Sequence, residues 1–284
     1  MSDGSSSVAK YRLFLAIADE LSCKCPTTRK NGGQSNRARK DQDMFTILFF
    51  LIALLSEVVG TVAGFGSSVF FVPLAGLFFD FHQVLVLTSI LHVFSNAAKL
   101  LFFGKDVRFR LLVLLGLPSV AAVILGAYLS TKLEFKFDEL ILGGFLIVFS
   151  IFFFWKPTAR ISRTKFSAIS AGGVAGFLAG LIGTGGALRG LALAAFDLEK
   201  GVFVATSAGI DSGVDLSRMI IYLRNGYLAP NSLGYIAGLL LIAFVGSYLG
   251  KITLRKIQQR HFRKIVLGFV FVIGLITLGR ALVK

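Results

Sequence analysis

From Met44 to the end, the chain is a succession of apolar runs separated by short basic or glycine-rich breaks. That pattern fixes the solvent in which it folds. The longer runs match the ~20 residues that cross a bilayer as a helix, and the others are shorter membrane-buried pieces. Inside lipid every backbone N–H and C=O needs a partner within the protein, so runs of this kind are read as helices. Composition agrees: of 284 residues 55% are hydrophobic and only 16% charged, with a mean hydropathy of +0.78. A soluble domain of this length would need more polar sequence to cover its surface. The expected fold is therefore an all-α polytopic membrane protein, multi-pass in a cell membrane.

The net charge of +15 does not point to nucleic acid. The basic residues cluster between apolar runs, at Lys105, Arg108 and Arg110, at Lys156, Arg160, Arg163 and Lys165, and from Lys251 to Lys264. Such clusters are the usual mark of membrane topology, and no basic soluble domain accompanies them. Residues 1–43 form a polar tail, expected to be disordered apart from a short amphipathic stretch at 11–21. Cys23 and Cys25 in that tail have no histidine partners nearby, so neither a metal site nor a disulfide framework follows.

The chain also repeats itself. Gly60 and Gly64 match Gly176 and Gly180 at an offset of 116, and Gly66 and Asp80 match Gly183 and Asp197 at 117. Thr88-Ser89 matches Thr206-Ser207 at 118, and the run from Gly126 to Leu129 matches that from Gly246 to Leu249 at 120. The slow drift is what small loop insertions produce. Two tandem homologous halves are expected, 44–156 and 165–284, joined by a basic linker at 157–164. Each half reads as about four transmembrane helices plus a short broken or re-entrant segment, the short pieces being about 67–79 and 187–196.

Those short pieces follow glycine-rich breaks. Gly60-x-x-x-Gly64 and Gly176-x-x-x-Gly180 suit close helix packing. The stretches after them, Gly66-Ser67-Ser68 and Gly183-Thr184-Gly185-Gly186, read better as non-helical turns at membrane depth. Paired breaks in two halves point to a transporter binding site. A helix starting at such a break can face an anion.

The paired glycine-rich turns, Pro73 after the first, the two Thr-Ser pairs and Asn96 together resemble the TauE/SafE sulfite exporter family. The resemblance covers residues 44–284. It implies a membrane transporter of small sulfur-containing anions such as sulfite or sulfonates. The chain departs from the family pattern at Ser67-Ser68, where glycines are usual, and at Gly190, where a proline is expected.

Ionisable residues inside apolar runs are costly and are functional candidates. Six stand out: Glu57, Lys99, Arg189, Asp211, Asp215 and Arg218. Three are acidic and three basic, so internal pairing can neutralise them. Ser89, His92, Asn96 and Lys99 recur at helical steps, and Ser207, Asp211, Asp215 and Arg218 do so at matching positions of the second half. The two stripes are expected to face each other across a cavity. Asp215 and Arg218 form an i, i+3 pair, and Glu57 has Lys99 or Arg189 within reach. Asp211 has no basic residue at i±3 or i±4, which makes it the better proton carrier in this reading. The candidate substrate contacts are Gly66, Ser67, Ser68, Ser89, His92, Asn96, Gly183, Thr184, Gly185, Gly186, Arg189 and Ser207.

No phosphate-binding loop, metal cluster or nucleophile–base pair is evident, and no cofactor is expected. The expected partners are a small anion and the bilayer, with a homo-oligomer left open. The competing class is a non-transporting membrane protein, an assembly factor or an intramembrane enzyme. If each short piece re-enters without crossing, the N-terminus, the 104–110 loop and the linker share the cytoplasmic side, and the basic loop 251–264 falls opposite, against the charge rule.

Overall fold

The structure, a computed structural model, describes residues 32–63, 66–104, 107–133, 135–156, 163–230, 232–256 and 259–283. Among the described residues there are ten helices and no strands. In chain order they are α1 (Gly32–Ala63), α2 (Ser68–Ala75), α3 (Phe81–Phe103), α4 (Phe109–Ser130) and α5 (Phe135–Trp155). Then follow α6 (Lys165–Ile182), α7 (Gly186–Ala194), α8 (Lys200–Arg224), α9 (Leu233–Lys256) and α10 (Gln259–Val283). Six of them are long and apolar enough to cross a membrane: α1, α3, α4, α5, α6 and α9. Large apolar side chains stay exposed on the outward faces, among them Ile47, Leu117, Leu125 and Phe154, as lipid contact requires. Trp155, at the end of α5, stands free where an interface anchor belongs.

Eight crossings were expected; the two other long helices, α8 and α10, are not among these six. α8 carries Asp211, Asp215 and Arg218 through its middle, and α10 opens on Gln259-Arg260-His261 before an apolar stretch at Leu267–Leu282. Both are helices; in α8 the three charges break up the apolar run, and in α10 Leu267–Leu282 is the apolar stretch among the described residues. The polar tail is also shorter than its sequence suggests. α1 starts at Gly32, so residues 32–43 are helical rather than irregular. From Gln34 to Met44 there is no glycine or proline to stop a helix already propagating from the apolar run. Residues 11–21, Cys23 and Cys25 lie outside the described residues.

Side-chain contacts fix the direction of each helix. α2 folds back along α1: Ser67 meets Glu57, Phe71 meets Phe49, and Phe78 meets Phe45. α9 runs parallel to α1, with Gly238 against Phe50, Gly246 against Glu57 and Gly250 against Thr61. It is also parallel to α3, through Gln83–Ser232, Ser95–Ser247 and Phe102–Lys251. α6 runs parallel to α4, with Gly172, Gly176 and Gly180 on Leu115, Ser119 and Val123. α8 is parallel to α4 and antiparallel to α3. α5 and α10 pair antiparallel.

One consequence corrects the expected sidedness. Because α1 and α2 form a hairpin, α3 begins at the end of the bundle where α1 enters. The helix ends that flank 104–108, 156–164 and 256–259 then lie together at the opposite end. The end of α9 and the start of α10 thus share their end of the bundle with the helix ends on either side of the other two basic stretches, and the start of α1 does not.

Candidate functional site

The two breaks meet at the centre of the bundle. Gly66 (φ 80°) and Gly183 (φ 76°) both adopt the left-handed conformation that only glycine enters freely. A methyl built on Gly66 would sit 3.6 Å from Gly186 Cα, so the two turns touch. Across them Ser68 Oγ donates to Thr184 Oγ1 at 3.4 Å. α2 and α7 start from these turns, so two helix N-termini, with their free N–H groups, open toward the same place.

The six intramembrane charges pair one to one. Lys99 Nζ lies 2.7 Å from Glu57 Oε1. Glu57 is fully buried and is further held by Ser67 (2.7 Å), Thr61 and Ser247 (both 3.5 Å) and a short bond from Ser95. Arg218 holds Asp215 through Nε at 2.8 Å and Nη2 at 2.7 Å. Its Nη1 donates to the carbonyls of Gly183 (2.9 Å) and Ala179 (3.2 Å), and Tyr222 donates to Gly180 (2.5 Å). Arg218 and Tyr222 therefore cap carbonyls that α6 frees where it breaks. Arg189 on α7 approaches Asp211 on α8, Nη2 to Oδ1 at 2.5 Å, without the alignment of a hydrogen bond. Its Nε and Nη1 are buried and have no hydrogen-bond partner among the described residues.

The polar stripes of α3 and α8 meet directly: Asn96 donates to Asp215 at 2.7 Å, and His92 touches both Ser67 and Arg218. Beside this contact is a cavity of about 20 Å³, where a water needs about 10–15 Å³. Its wall includes Gly66, Ser67, Ser68, His92, Asn96, Lys99, Gly183, Gly185, Gly186, Arg189, Asp211, Asp215 and Arg218. Four predicted residues stand behind that wall. Ser89 bonds back to Val86 O in its own helix, Ser207 donates to Asp211, Thr184 lies under Ser68, and Glu57 backs Lys99. Asp211 has its basic partner on another helix, where the i±3 and i±4 positions could not reveal it.

Sequence reasoning missed several polar groups. Ser95 is on the α3 stripe, three residues after His92 and four before Lys99, so its register was visible. Ser247 and Tyr222 carried no such signal. A second buried cluster was also missed. Asp138, fully buried at the start of α5, faces His82 at 3.6 Å, and His82 stacks on Tyr227, which stacks on Tyr222.

The family described as Sulfite exporter TauE/SafE matches residues 49–277, most of the chain and all of this site. The chain belongs to that family. It is also similar to a probable membrane transporter protein of Methanocaldococcus jannaschii. The two are 24% identical over 260 residues, covering 81% of this chain and 94% of that relative. No solved structure matches. As a TauE/SafE member with six helices fit to span a bilayer, the protein is a multi-pass membrane transporter.

Proposed function

We propose that this transporter carries small anions, sulfur oxyanions or sulfonates among them, and binds them at Arg189 between the two breaks. The observation that carries the reading is the buried guanidinium itself. Two of its nitrogens lack hydrogen-bond partners among the described residues, and it lines a cavity onto which two helix N-termini open. A guanidinium presents a planar fork of donors suited to an oxyanion, and free amides at helix starts add to it. The Asp211 carboxylate stands where the substrate's oxygens would dock, and a bound anion takes its place. The cavity is narrow as it stands, so an anion binds only once Asp211 moves off Arg189.

The two halves act in this reading as inverted repeats around one central site. Support comes from the element order, long–short–long–long–long given twice, from Gly66 and Gly183 sharing one conformation at matched positions, and from helix directions. α1 and α3 run one way, while their counterparts α6 and α8 run the other. The end with three basic loops is then the cytoplasmic end.

The test is flux into proteoliposomes with sulfite, thiosulfate, methanesulfonate and small carboxylates. At least one sulfur anion should be moved. Arg189→Lys, which keeps charge but loses the fork, should reduce its uptake, and Arg189→Gln should lower it about a hundredfold, the ~3 kcal/mol scale of a lost charged hydrogen bond. Full uptake by well-folded Arg189→Gln protein would contradict the reading.

A further inference from the structure

An anion entering this site meets a charge balance already at zero. Lys99, Arg189 and Arg218 are each matched by one carboxylate, Glu57, Asp211 and Asp215. A monoanion therefore leaves one uncompensated negative charge in a buried place, which is costly. One proton taken up with it removes that cost.

The hydrogen bonds single out where the proton goes. Arg218 Nη2 lies 3.2 Å from His92 Nδ1. A guanidinium only donates, so Nδ1 is a bare acceptor. On the other side, Nε2 is 2.9 Å from Ser67 Oγ, and Ser67 Oγ is 2.7 Å from Glu57 Oε2. A carboxylate paired with lysine only accepts, so Ser67 gives its hydrogen to Glu57 and takes one from Nε2. The donor inventory thus assigns a neutral His92 with its proton on Nε2. Near the bare Nδ1 there is also one oxygen, Asp215 Oδ2 at 3.6 Å, which Asn96 holds in place. A proton on Nδ1 would repel Arg218 Nη2 and turn the ring's new N–H toward Asp215. The released Arg218 N–H belongs to a residue of the cavity wall.

We propose that His92 Nδ1 is the proton site of a proton–anion symport, one proton per turnover, whose protonation transfers an Arg218 N–H from His92 to the substrate. The proposal rests on the anion reading above. The charged groups around His92 are all included in it: Glu57 from α1, Lys99 on its own helix, Arg189 from α7, and Asp211, Asp215 and Arg218 from α8. The neighbouring α2 and α9 bring the hydroxyls of Ser67, Ser68 and Ser247, and Asp138 of α5 faces His82 instead.

Methanesulfonate and thiosulfate, a fixed monoanion and a fixed dianion, are the probes, in proteoliposomes with a pH dye inside. Wild-type protein should carry one proton with each methanesulfonate, independent of membrane potential, and an imposed difference of one pH unit should sustain about tenfold accumulation. Thiosulfate should move with one proton and net charge. His92→Gln should lose proton co-movement and the pH-driven accumulation, while anion–anion exchange falls far less. If neither probe moves in wild-type protein but a carboxylate does, the same measurements apply to that carboxylate. If no anion moves, the anion reading fails and this proposal with it. If anions move without protons, or His92→Gln keeps the wild-type proton ratio, this proposal alone fails. A wild-type measurement covers a variant that does not fold. The 15N spectrum of histidine-labelled protein should show His92 protonated at Nε2 alone and doubly protonated once a transported anion is added at low pH. An Nδ1–H tautomer without anion would overturn the proposal.

Discussion

At the scale of single residues, the site is a set of buried charges that tolerate burial because each has its partner. Lys99 and Glu57 show the consequence most plainly. Glu57→Gln leaves the Lys99 ammonium without its counter-charge, which should cost about 3–5 kcal/mol. Glu57→Gln combined with Lys99→Met removes both charges and should recover much of that loss. Thermal unfolding in detergent measures both, and equal stability of the single variant and wild type would refute the pairing. Helical register made part of this legible. It placed Asp215 beside Arg218 and put His92, Asn96 and Lys99 on one face, because those relations live within one helix. It could not choose between Lys99 and Arg189 for Glu57, or find Arg189 for Asp211, because those choices depend on how separate helices pack. Asp138 was overlooked, and His82, beside Asp80 at a loop, was read as interfacial, for a similar reason. Each stands near the start of an apolar run, where sequence alone reads it as interfacial.

At the scale of elements, glycine does two different jobs in this chain, and the sequence distinguished them in part. Gly172, Gly176 and Gly180 bring α6 onto the backbone of α4, where a side chain on Gly176 would collide with the Ser119 carbonyl. Gly176→Val should therefore destabilise the protein by at least the ~1–3 kcal/mol of an overpacked core. Gly173, one turn position away with nothing within 4 Å of an added methyl, should accept alanine with a gain of about 0.4–1 kcal/mol. Melting temperatures in one detergent compare the two. The opposite ranking would mean that α4 and α6 do not pack this way. The spacing of Gly176 and Gly180 was visible as a packing signature, and the Gly66 and Gly183 turns as breaks. The start of α1 was not legible, since polar residues 34–43 carry neither a stop signal nor an apolar period.

At the scale of the whole molecule, the offset matches led to an expectation of two related halves, but counting runs could not say which way each helix points. Contacts such as Phe78 on Phe45 settle that the chain returns after α2 and bring the three basic loops to one end. In a background without Cys23 and Cys25, Lys156→Cys and Arg260→Cys should react with an impermeant maleimide from the same side of the membrane, and Arg224→Cys from the other. Reaction of Lys156→Cys and Arg260→Cys from opposite sides would undo the arrangement. In the proposed transport cycle an anion sits on Arg189 between the two breaks. Selenite is a heavy stand-in for sulfite, and crystals grown with it and measured at the selenium edge locate the anion directly. An anomalous peak should lie within hydrogen-bond reach of the Arg189 guanidinium, with Asp211 displaced, and no peak should appear there in Arg189→Gln crystals. A peak elsewhere in the bundle with Arg189 still on Asp211, or an unchanged peak in Arg189→Gln, would contradict it.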